Sequence, residues 1–548
     1  MRPARTRSRP GETDTTWRAR PALAPGVEVV APAEPGAPWV MHRGRSYVRV
    51  GVDLARLAEG LDGSSDHATI AARLGAPWTA EAVDLAVTRL HAAGFIEDGR
   101  RRRERHRRVE FVPPLSLQVT IVRPGAGLER VARRLPTITS ARTWAAALAV
   151  VGVGLVALVL QAEAVVEALS TPVPWQSLVV LLLVVGLATT LHELSHGVAL
   201  LQEGGRPSRI GWMLFYLAPA MFCDVSDAWR LPRPVQRVRV ALVGVVTQAM
   251  VGAGCAAAAA LPVPGPVRDL LLLVAVGSYA VGVLNLVPLM KLDGYIALMS
   301  HLDRPNLRTL CIDQARSVTA WLLFGGRRPV RGPGVPSWAT AFGAASVMFP
   351  WYVAVSVLAL YVALLSRAGP VGLAVLLVAA VYLVALLVQG VRRLVGAGRR
   401  NGARRRRVAA VLTAGAGALG LVLTTVQVPY RVPATYVEAE GVPLVVVPEG
   451  VAVPDLPAGA PVEVLRAGVV LSRSQASGVL TGPVEHRVEV PAAAFLPIVV
   501  DSDVTIPAHA WLVDLDGADP DGGVALVDAG ERRLGHWLYL TYLAVGIS

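Results

Sequence analysis

Residues 177–200 read SLVVLLLVVGLATTLHELSHGVAL, an apolar run that ends in three ionisable residues. A helix needs about 20 apolar residues to cross the hydrocarbon core of a bilayer. Charged groups at that depth cost about 2.5–3.5 kcal/mol each, so they need a metal, a partner or a water-filled cavity. The run therefore predicts a membrane helix that carries a functional site near one end.

Six further apolar blocks of similar length occur along the chain, at about 144–161, 239–261, 270–289, 341–365, 371–390 and 408–428. Hydrophobic residues make up 53% of the 548 residues, and the mean hydropathy is +0.50. Such a composition is typical of membrane proteins. We therefore predict a mainly α, polytopic membrane protein whose core, residues 143–428, contains about seven transmembrane helices.

The basic residues are better explained by topology than by nucleic-acid binding. The net charge is +13, but the arginines flank the apolar blocks and do not form one patch interleaved with aromatic residues. Loops rich in Lys and Arg stay in the cytosol. The run 101–108 before the first span, and the arginines of 206–237, 304–331 and 392–407, are predicted to be cytosolic. No nucleic-acid partner is expected, and three scattered cysteines predict neither a disulfide framework nor a cysteine metal site.

Regions outside the core divide by composition. Residues 1–39 are predicted to be a disordered basic tail, and 99–142 a basic linker. Residues 40–98 have a strand over 46–50, helical spacing from Leu54 to Leu61, and short helices near 69–74 and after Thr79, which predicts a winged-helix-like cytosolic module. Residues 429–536 contain β-branched runs and 15 acidic residues against 6 arginines, which predicts an extracytosolic β-rich domain. Residues 537–548 are predicted to be a C-terminal tail.

The pattern H-E-x-x-H closes the second span, with His192, Glu193 and His196. On a helix the two histidines lie one turn apart on one face and can present two imidazole nitrogens to one Zn²⁺. Zinc lowers the pKa of a bound water toward about 7, and the adjacent carboxylate is placed to take its proton and pass it to a leaving amine.

A catalytic zinc site needs a third protein ligand. Residues 285–295 read NLVPLMKLDGY, so that Asp293 follows an apolar helix that Pro288 and Gly294 are expected to break. The predicted topology puts this carboxylate toward the same cytosolic side as the histidines. We therefore expect Asp293 to be the third ligand.

The two motifs together, H-E-x-x-H late in one span and N-x-x-P-x-x-x-L-D-G late in another, resemble the site-2 protease family of intramembrane zinc metallopeptidases. The resemblance implies zinc ligation by His192, His196 and Asp293, catalysis by Glu193, and substrate positioning near Asn285. The third span departs from the family pattern, because Val243-Gly244-Val245 and Gln248 stand where a Gly-Pro and Asn arrangement is common.

Residues 215–229, together with Asp293-Gly294-Tyr295, are similar to a bacterial subgroup linked to the biosynthesis of bacteriocins and of ribosomally made, modified peptides. The resemblance implies a multi-pass protein of the bacterial cytoplasmic membrane that matures a precursor peptide, with daptide-type pathways as one setting. The apolar run of 215–229 is expected either to form an edge strand that holds an extended substrate or to anchor a loop at the interface through Trp212, Phe215 and Tyr216.

The 40–98 module resembles leader-recognition domains, in which case the strand near Tyr47 and the helix after Thr79 would capture a leader peptide. Two alternatives stay open. One is site-2-type regulated proteolysis of a membrane regulator. The other is a non-catalytic peptide-transport or immunity protein that keeps a zinc site.

Overall fold

The computed structural model describes most of the chain. The described residues are 16–32, 39–43, 46–97, 109–112, 116–122, 126–215, 218–332, 335–366, 369–439, 441–449, 456–468, 470–484, 487–495, 498–499, 504–517, 520 and 522–542. The basic run 101–108, on which part of the predicted topology rests, lies outside them.

The helices are α1 (Thr16–Ala19), α2 (Val52–Glu59), α3 (His67–Leu74), α4 (Ala80–Ala92), α5 (Ala126–Arg134), α6 (Ala141–Leu160), α7 (Ala162–Ser170), α8 (Trp175–Gln202), α9 (Pro234–Ala259), α10 (Gly265–Leu286), α11 (Asp293–His301), α12 (Leu307–Phe324), α13 (Ala339–Ser366), α14 (Gly369–Arg400), α15 (Arg405–Thr425) and α16 (Leu534–Tyr542).

The strands are β1 (Val27–Val30), β2 (Trp39–Arg43), β3 (Ser46–Val50), β4 (Val109–Val112), β5 (Ser116–Val122), β6 (Val173–Pro174), β7 (Ile210–Phe215), β8 (Ala218–Cys223), β9 (Gln427–Ala439), β10 (Val442–Pro448), β11 (Pro461–Ala467), β12 (Ser472–Pro483), β13 (Val488–Pro491), β14 (Ile498–Val499), β15 (Thr505–Asp516) and β16 (Gly523–Arg533).

The chain divides into two compact units. One consists of Met1–Trp144, His192–Gly244 and Ser300–Asp303, and the other of Ala145–Leu191, Val245–Met299 and Arg304–Ser548. Four of the five divisions fall inside helices, namely α6, α8, α9 and α11.

Seven helices within the described residues are long and apolar enough to cross a membrane, as the sequence predicts. They cover Ala141–Leu160, Trp175–Gln202, Pro234–Ala259, Gly265–Leu286, Ala339–Ala359, Ala374–Arg400 and Arg405–Thr425. Their surfaces carry large apolar side chains in the open, such as Leu160, which is 81% exposed, and Val378, which is 70% exposed. Apolar surface on this scale fits contact with lipid and so a multi-pass membrane protein.

The N-terminal module combines a three-stranded antiparallel sheet, in the order β1-β2-β3, with helices α2, α3 and α4. Strand β3 and the three helices lie where the periodicity of 40–98 predicts them. Side chains cap two of the helices, because Asp66 accepts from the Thr69 N–H at 2.8 Å and Thr79 from the Ala82 N–H at 3.2 Å. The structure also places β1, which pairs with β2, inside the segment predicted as a tail.

A cluster of charged groups in the first unit includes Arg49, which lies in strand β3. Arg49 donates to the Asp303 carboxylate, and the buried Arg237 donates to the same oxygen at 2.5 Å. The two guanidinium groups lie 5.6 and 5.5 Å from the ring centre of Trp229. These contacts join the N-terminal module to the beginning of α9.

A four-stranded antiparallel sheet in the order β4-β5-β7-β8 is the second sheet of this unit. Strands β4 and β5, together with helix α5, lie in the segment predicted as a basic linker, and β5 pairs with β7 over Ser116↔Phe215 to Val122↔Ile210. The run 215–229 thus contributes a strand, as one of the two interpretations predicts. Among the strands that the structure describes, β8 has β7 as its one partner, so it forms an edge of the sheet.

The C-terminal region is β-rich, as predicted, and six of its strands form a closed ring. The order is β10-β9-β16-β11-β12-β15, and β15 pairs in turn with β10. Alternate residues of β9, namely Val432, Ala434 and Tyr436, point into the interior, as the two-residue period of a strand requires. Strand β10 is buried on both faces over 444–447, because a second cluster covers its outer side.

This barrel contacts helix α7 and the strand β6 that follows it, within the second unit. Strand β14 pairs in parallel with β6, and Glu167 accepts from Arg466 at 2.9 Å. The N–H of Leu471 donates to the carbonyl of Leu169 at 3.1 Å. At its other end, α16 begins within the region predicted as β-rich and continues into the predicted tail, and its first N–H, that of Leu534, donates to the carbonyl of Val426 at 2.8 Å.

Candidate metal centre

Helix α8 carries the H-E-x-x-H pattern in its last third. His192 and His196 lie one turn apart on the same face, and they are only 4% and 3% exposed. Their ring centres are 4.9 Å apart at an interplanar angle of 77°, and their Nε2 atoms are 3.2 Å apart. Two buried imidazoles with converging nitrogens are an arrangement that a metal ion can join.

The carbonyl of Val240 on α9 fixes the orientation of His196. It lies 2.7 Å from His196 Nδ1. Because a carbonyl oxygen only accepts hydrogen bonds, this contact requires the proton on Nδ1 and leaves the Nε2 lone pair for a metal. A backbone carbonyl behind a ligating histidine is a common way to orient the ring.

The third predicted ligand joins the histidines. One ligand atom each from His192, His196 and Asp293 all lie within 4.8 Å of one another, and Asp293 Oδ2 is buried. Helix α10 ends at Leu286, before Pro288, and Asp293 is the first residue of α11. The predicted break therefore occurs, and after it the chain continues as a second helix, α11.

Gly244 forms a wall of the site that sequence reasoning did not assign to it. A Cβ atom on Gly244 would lie 2.3 Å from His196 Nε2 and 2.7 Å from His192 Nε2. The space in front of both nitrogens therefore exists because α9 has no side chain there. In the sequence, the one feature that indicates this role is a glycine in the third span, where the chain departs from the family pattern.

Glu193 is held by the sheet that follows α8. Its Oε2 atom accepts a hydrogen bond of 2.8 Å from the backbone N–H of Cys223, the last residue of β8. Burial, with smaller contributions from the carboxylates of Glu193 and Asp224, raises the pKa of the Cys223 thiol to about 12. The thiol therefore stays protonated at neutral pH beside this glutamate, which argues against a role as a thiolate ligand.

Asn285 lies in the last turn of α10 and is half-buried. Its predicted role in substrate positioning stays a prediction. Tyr216, one of the residues predicted to anchor the loop at the interface, lies outside the described residues, and that alternative also stays a prediction.

The donor set fits a zinc-like ion. Zn–N bonds of about 2.0–2.1 Å in a tetrahedral site place two nitrogens about 3.3 Å apart. The 3.2 Å between the two Nε2 atoms matches this spacing. Two neutral imidazoles and one carboxylate, with a further position open to water, are the ligands that catalytic zinc sites use. The group can therefore hold a divalent metal.

Comparison of the chain with models of protein families, with curated proteins and with solved structures found no match in any of the three.

Proposed function

We propose that this protein is an intramembrane zinc metallopeptidase that hydrolyses a peptide bond of a membrane-associated or precursor peptide. The observation that carries the proposal is the convergence of His192, His196 and Asp293, with Glu193 next to the first histidine. A zinc ion bound by the three ligands supplies Lewis-acid polarisation of a peptide carbonyl and lowers the pKa of a water.

Glu193 is the base in this proposal. Its carboxylate takes a proton from the attacking water and delivers it to the amine that leaves when the C–N bond breaks. The hydrogen bond from the Cys223 N–H restricts the rotation of the carboxylate. Asn285 would position the substrate, as the family resemblance implies.

Strand β8 offers a binding edge for a substrate in the extended conformation. It is an edge of its sheet among the described strands, and its last residue, Cys223, donates to the proposed base. A peptide that pairs with β8 by main-chain hydrogen bonds would run toward Glu193 in the extended conformation that peptidases require. Main-chain recognition of this kind tolerates many side chains, which suits a processing enzyme.

Maturation of a bacteriocin or another modified peptide is the setting that the module 40–98 favours. Its order of three strands and three helices, with β3 at one edge of the sheet, provides a strand edge and a helix, α4, to which a leader peptide could bind. The proposal therefore includes leader capture by this module. It also includes a cytosolic N-terminus in the bacterial cytoplasmic membrane and an extracytosolic barrel.

The test is hydrolysis by the purified protein in liposomes. Wild type, Glu193→Gln and the control Glu203→Gln are incubated with synthetic precursor peptides and single-span membrane peptides, and the products are identified by mass spectrometry. We expect Glu193→Gln to bind zinc as wild type does but to lose about 100- to 10,000-fold in rate. Glu203, which contacts Gln236 at 2.8 Å, is expected to be dispensable.

Each outcome selects among the alternatives. Cleavage that survives in Glu193→Gln rejects the mechanism. Cleavage of single-span peptides but of no precursor favours regulated proteolysis of a membrane regulator. Stoichiometric zinc without any hydrolysis by wild type favours the transport or immunity protein.

A further inference from the structure

The proposed ligand Asp293 depends on a short connection for its position. The segment 287–292 leads from the end of α10 to Asp293, the first residue of α11. A Cβ atom on Gly294 would lie 2.0 Å from the carbonyl oxygen of Leu286, so the start of α11 packs directly against the end of α10. The position of the Asp293 carboxylate therefore depends on contacts that fix the segment 287–292.

Arg308, near the start of α12, holds this connection from both sides. Its Nε atom donates to the carbonyl of Leu289 at 3.0 Å, four residues before Asp293. Its backbone N–H donates to the hydroxyl of Tyr295 at 3.2 Å, two residues after Asp293. The side chain of Tyr295 is buried, with the residue only 4% exposed.

The guanidinium also reaches a third helix. One terminal nitrogen of Arg308 donates to the carbonyl of Ser346 on α13 at 2.6 Å. The Ser346 residue is fully buried. A planar guanidinium can satisfy two carbonyls in fixed directions, whereas a lysine ammonium is a point charge on a flexible stem. The arrangement therefore needs arginine and not merely a positive charge.

We infer that Arg308 is a positioning residue for the third metal ligand. Its guanidinium anchors Leu289, before Asp293, to α12 and α13, and its backbone N–H anchors Tyr295, after Asp293, to α12. The inference rests on the proposed metal centre. An arginine in this part of the chain is otherwise explained as a topology signal, which requires neither hydrogen bonds to named carbonyls nor any effect on metal affinity.

The experiment measures binding of the metal alone to the full-length protein in detergent. Co²⁺ is titrated and followed by its visible absorption spectrum, and Zn²⁺ affinity is obtained by competition. We compare wild type with Arg308→Lys and with the control Arg316→Lys. Arg316 lies two turns further along α12 and contacts the exposed Asp313 at 2.6 Å. We expect Arg308→Lys to raise the Kd for zinc about 10- to 100-fold and to change the cobalt spectrum, with the control unchanged.

A double-mutant cycle separates positioning from general stability. In an Asp293→Ala background the ligand is absent, so Arg308→Lys should cause no further loss of affinity. An equal loss in both backgrounds would show that Arg308 acts elsewhere and would overturn the inference. Wild-type affinity and spectrum in Arg308→Lys would overturn it as well.

A second variant serves if Arg308→Lys does not fold. Tyr295→Phe removes the acceptor of the Arg308 N–H and should raise the Kd about 2- to 10-fold. Unchanged affinity in this variant would overturn the anchor that the backbone N–H of Arg308 provides after Asp293. Failure of wild type to bind cobalt or zinc at one ion per chain would reject the proposed metal centre itself, a result distinct from all of these.

Discussion

Replacement of Gly244 by alanine is the most direct perturbation of the candidate metal centre. The new methyl carbon would lie 2.3 Å from His196 Nε2 and 2.7 Å from His192 Nε2, whereas ordinary contacts begin near 3.4 Å. Either the ring of His196 or helix α9 must therefore move by about 1 Å. Disturbing the surroundings of ligating histidines typically costs about 10- to 100-fold in metal affinity. We expect Gly244→Ala to lose about 100-fold in zinc affinity.

The assay is a zinc competition titration on the purified protein, combined with thermal unfolding in the presence of a chelator. Gly254→Ala is the matched control, because it lies on the same helix and a Cβ there meets nothing within 4 Å. We expect Gly254→Ala to bind zinc as wild type does. Zinc affinity of Gly244→Ala equal to that of wild type would refute the reasoning, since the methyl group would then not occupy the space before the two nitrogens.

Three further predictions concern neighbouring features. The Cys223 thiol has a pKa of about 12, against an ordinary 9.0, so near pH 8 it forms roughly 1,000-fold less thiolate than an ordinary cysteine. Intact mass spectrometry should therefore show alkylation of Cys223 by iodoacetamide only after denaturation, and fast labelling of the native protein would contradict this. Gly294→Ala should lower zinc affinity by displacing Asp293 while leaving His192 and His196 in place, because its Cβ would lie 2.0 Å from the carbonyl oxygen of Leu286. A cobalt spectrum equal to that of wild type would exclude this effect. Arg237→Met removes a buried guanidinium that donates to a carboxylate and a carbonyl, so thermal unfolding should show a free energy of unfolding lower by about 1–3 kcal/mol. The control Arg230→Met, at the surface, should lower it by under about 0.5 kcal/mol, and equal losses in the two variants would contradict the assignment.

The spans and the ligand set follow from local patterns in the sequence. Six of the seven long apolar helices lie within a few residues of their predicted blocks, because length and hydropathy decide which segments can be membrane helices. The sixth, predicted to end near residue 390, continues to Arg400. His192 and His196 are one turn apart in any helix. Their approach to Asp293 was expected because both segments end toward one predicted side, and the break before Asp293 follows from Pro288.

Long-range contacts were beyond this reasoning. Strand β5 pairs with β7 across a separation of about 90 residues and two membrane helices, and no local pattern identifies such a partner. Gly244 has no side chain to attract notice, although its missing Cβ makes room before the histidines. In the sequence Arg308 is one of several basic residues near a span, because hydrogen bonds to backbone carbonyls have no signature in composition. The winged-helix assignment and the orientation in the membrane stay predictions.

The register of the C-terminal barrel has a consequence for how such a protein can be altered. Gln427 at the start of β9 and Arg533 at the end of β16 are direct partners, which puts their Cα atoms about 5 Å apart. The whole barrel is therefore an insertion whose entrance and exit adjoin. A loop of a few residues is therefore long enough to connect α15 to α16 in place of the barrel.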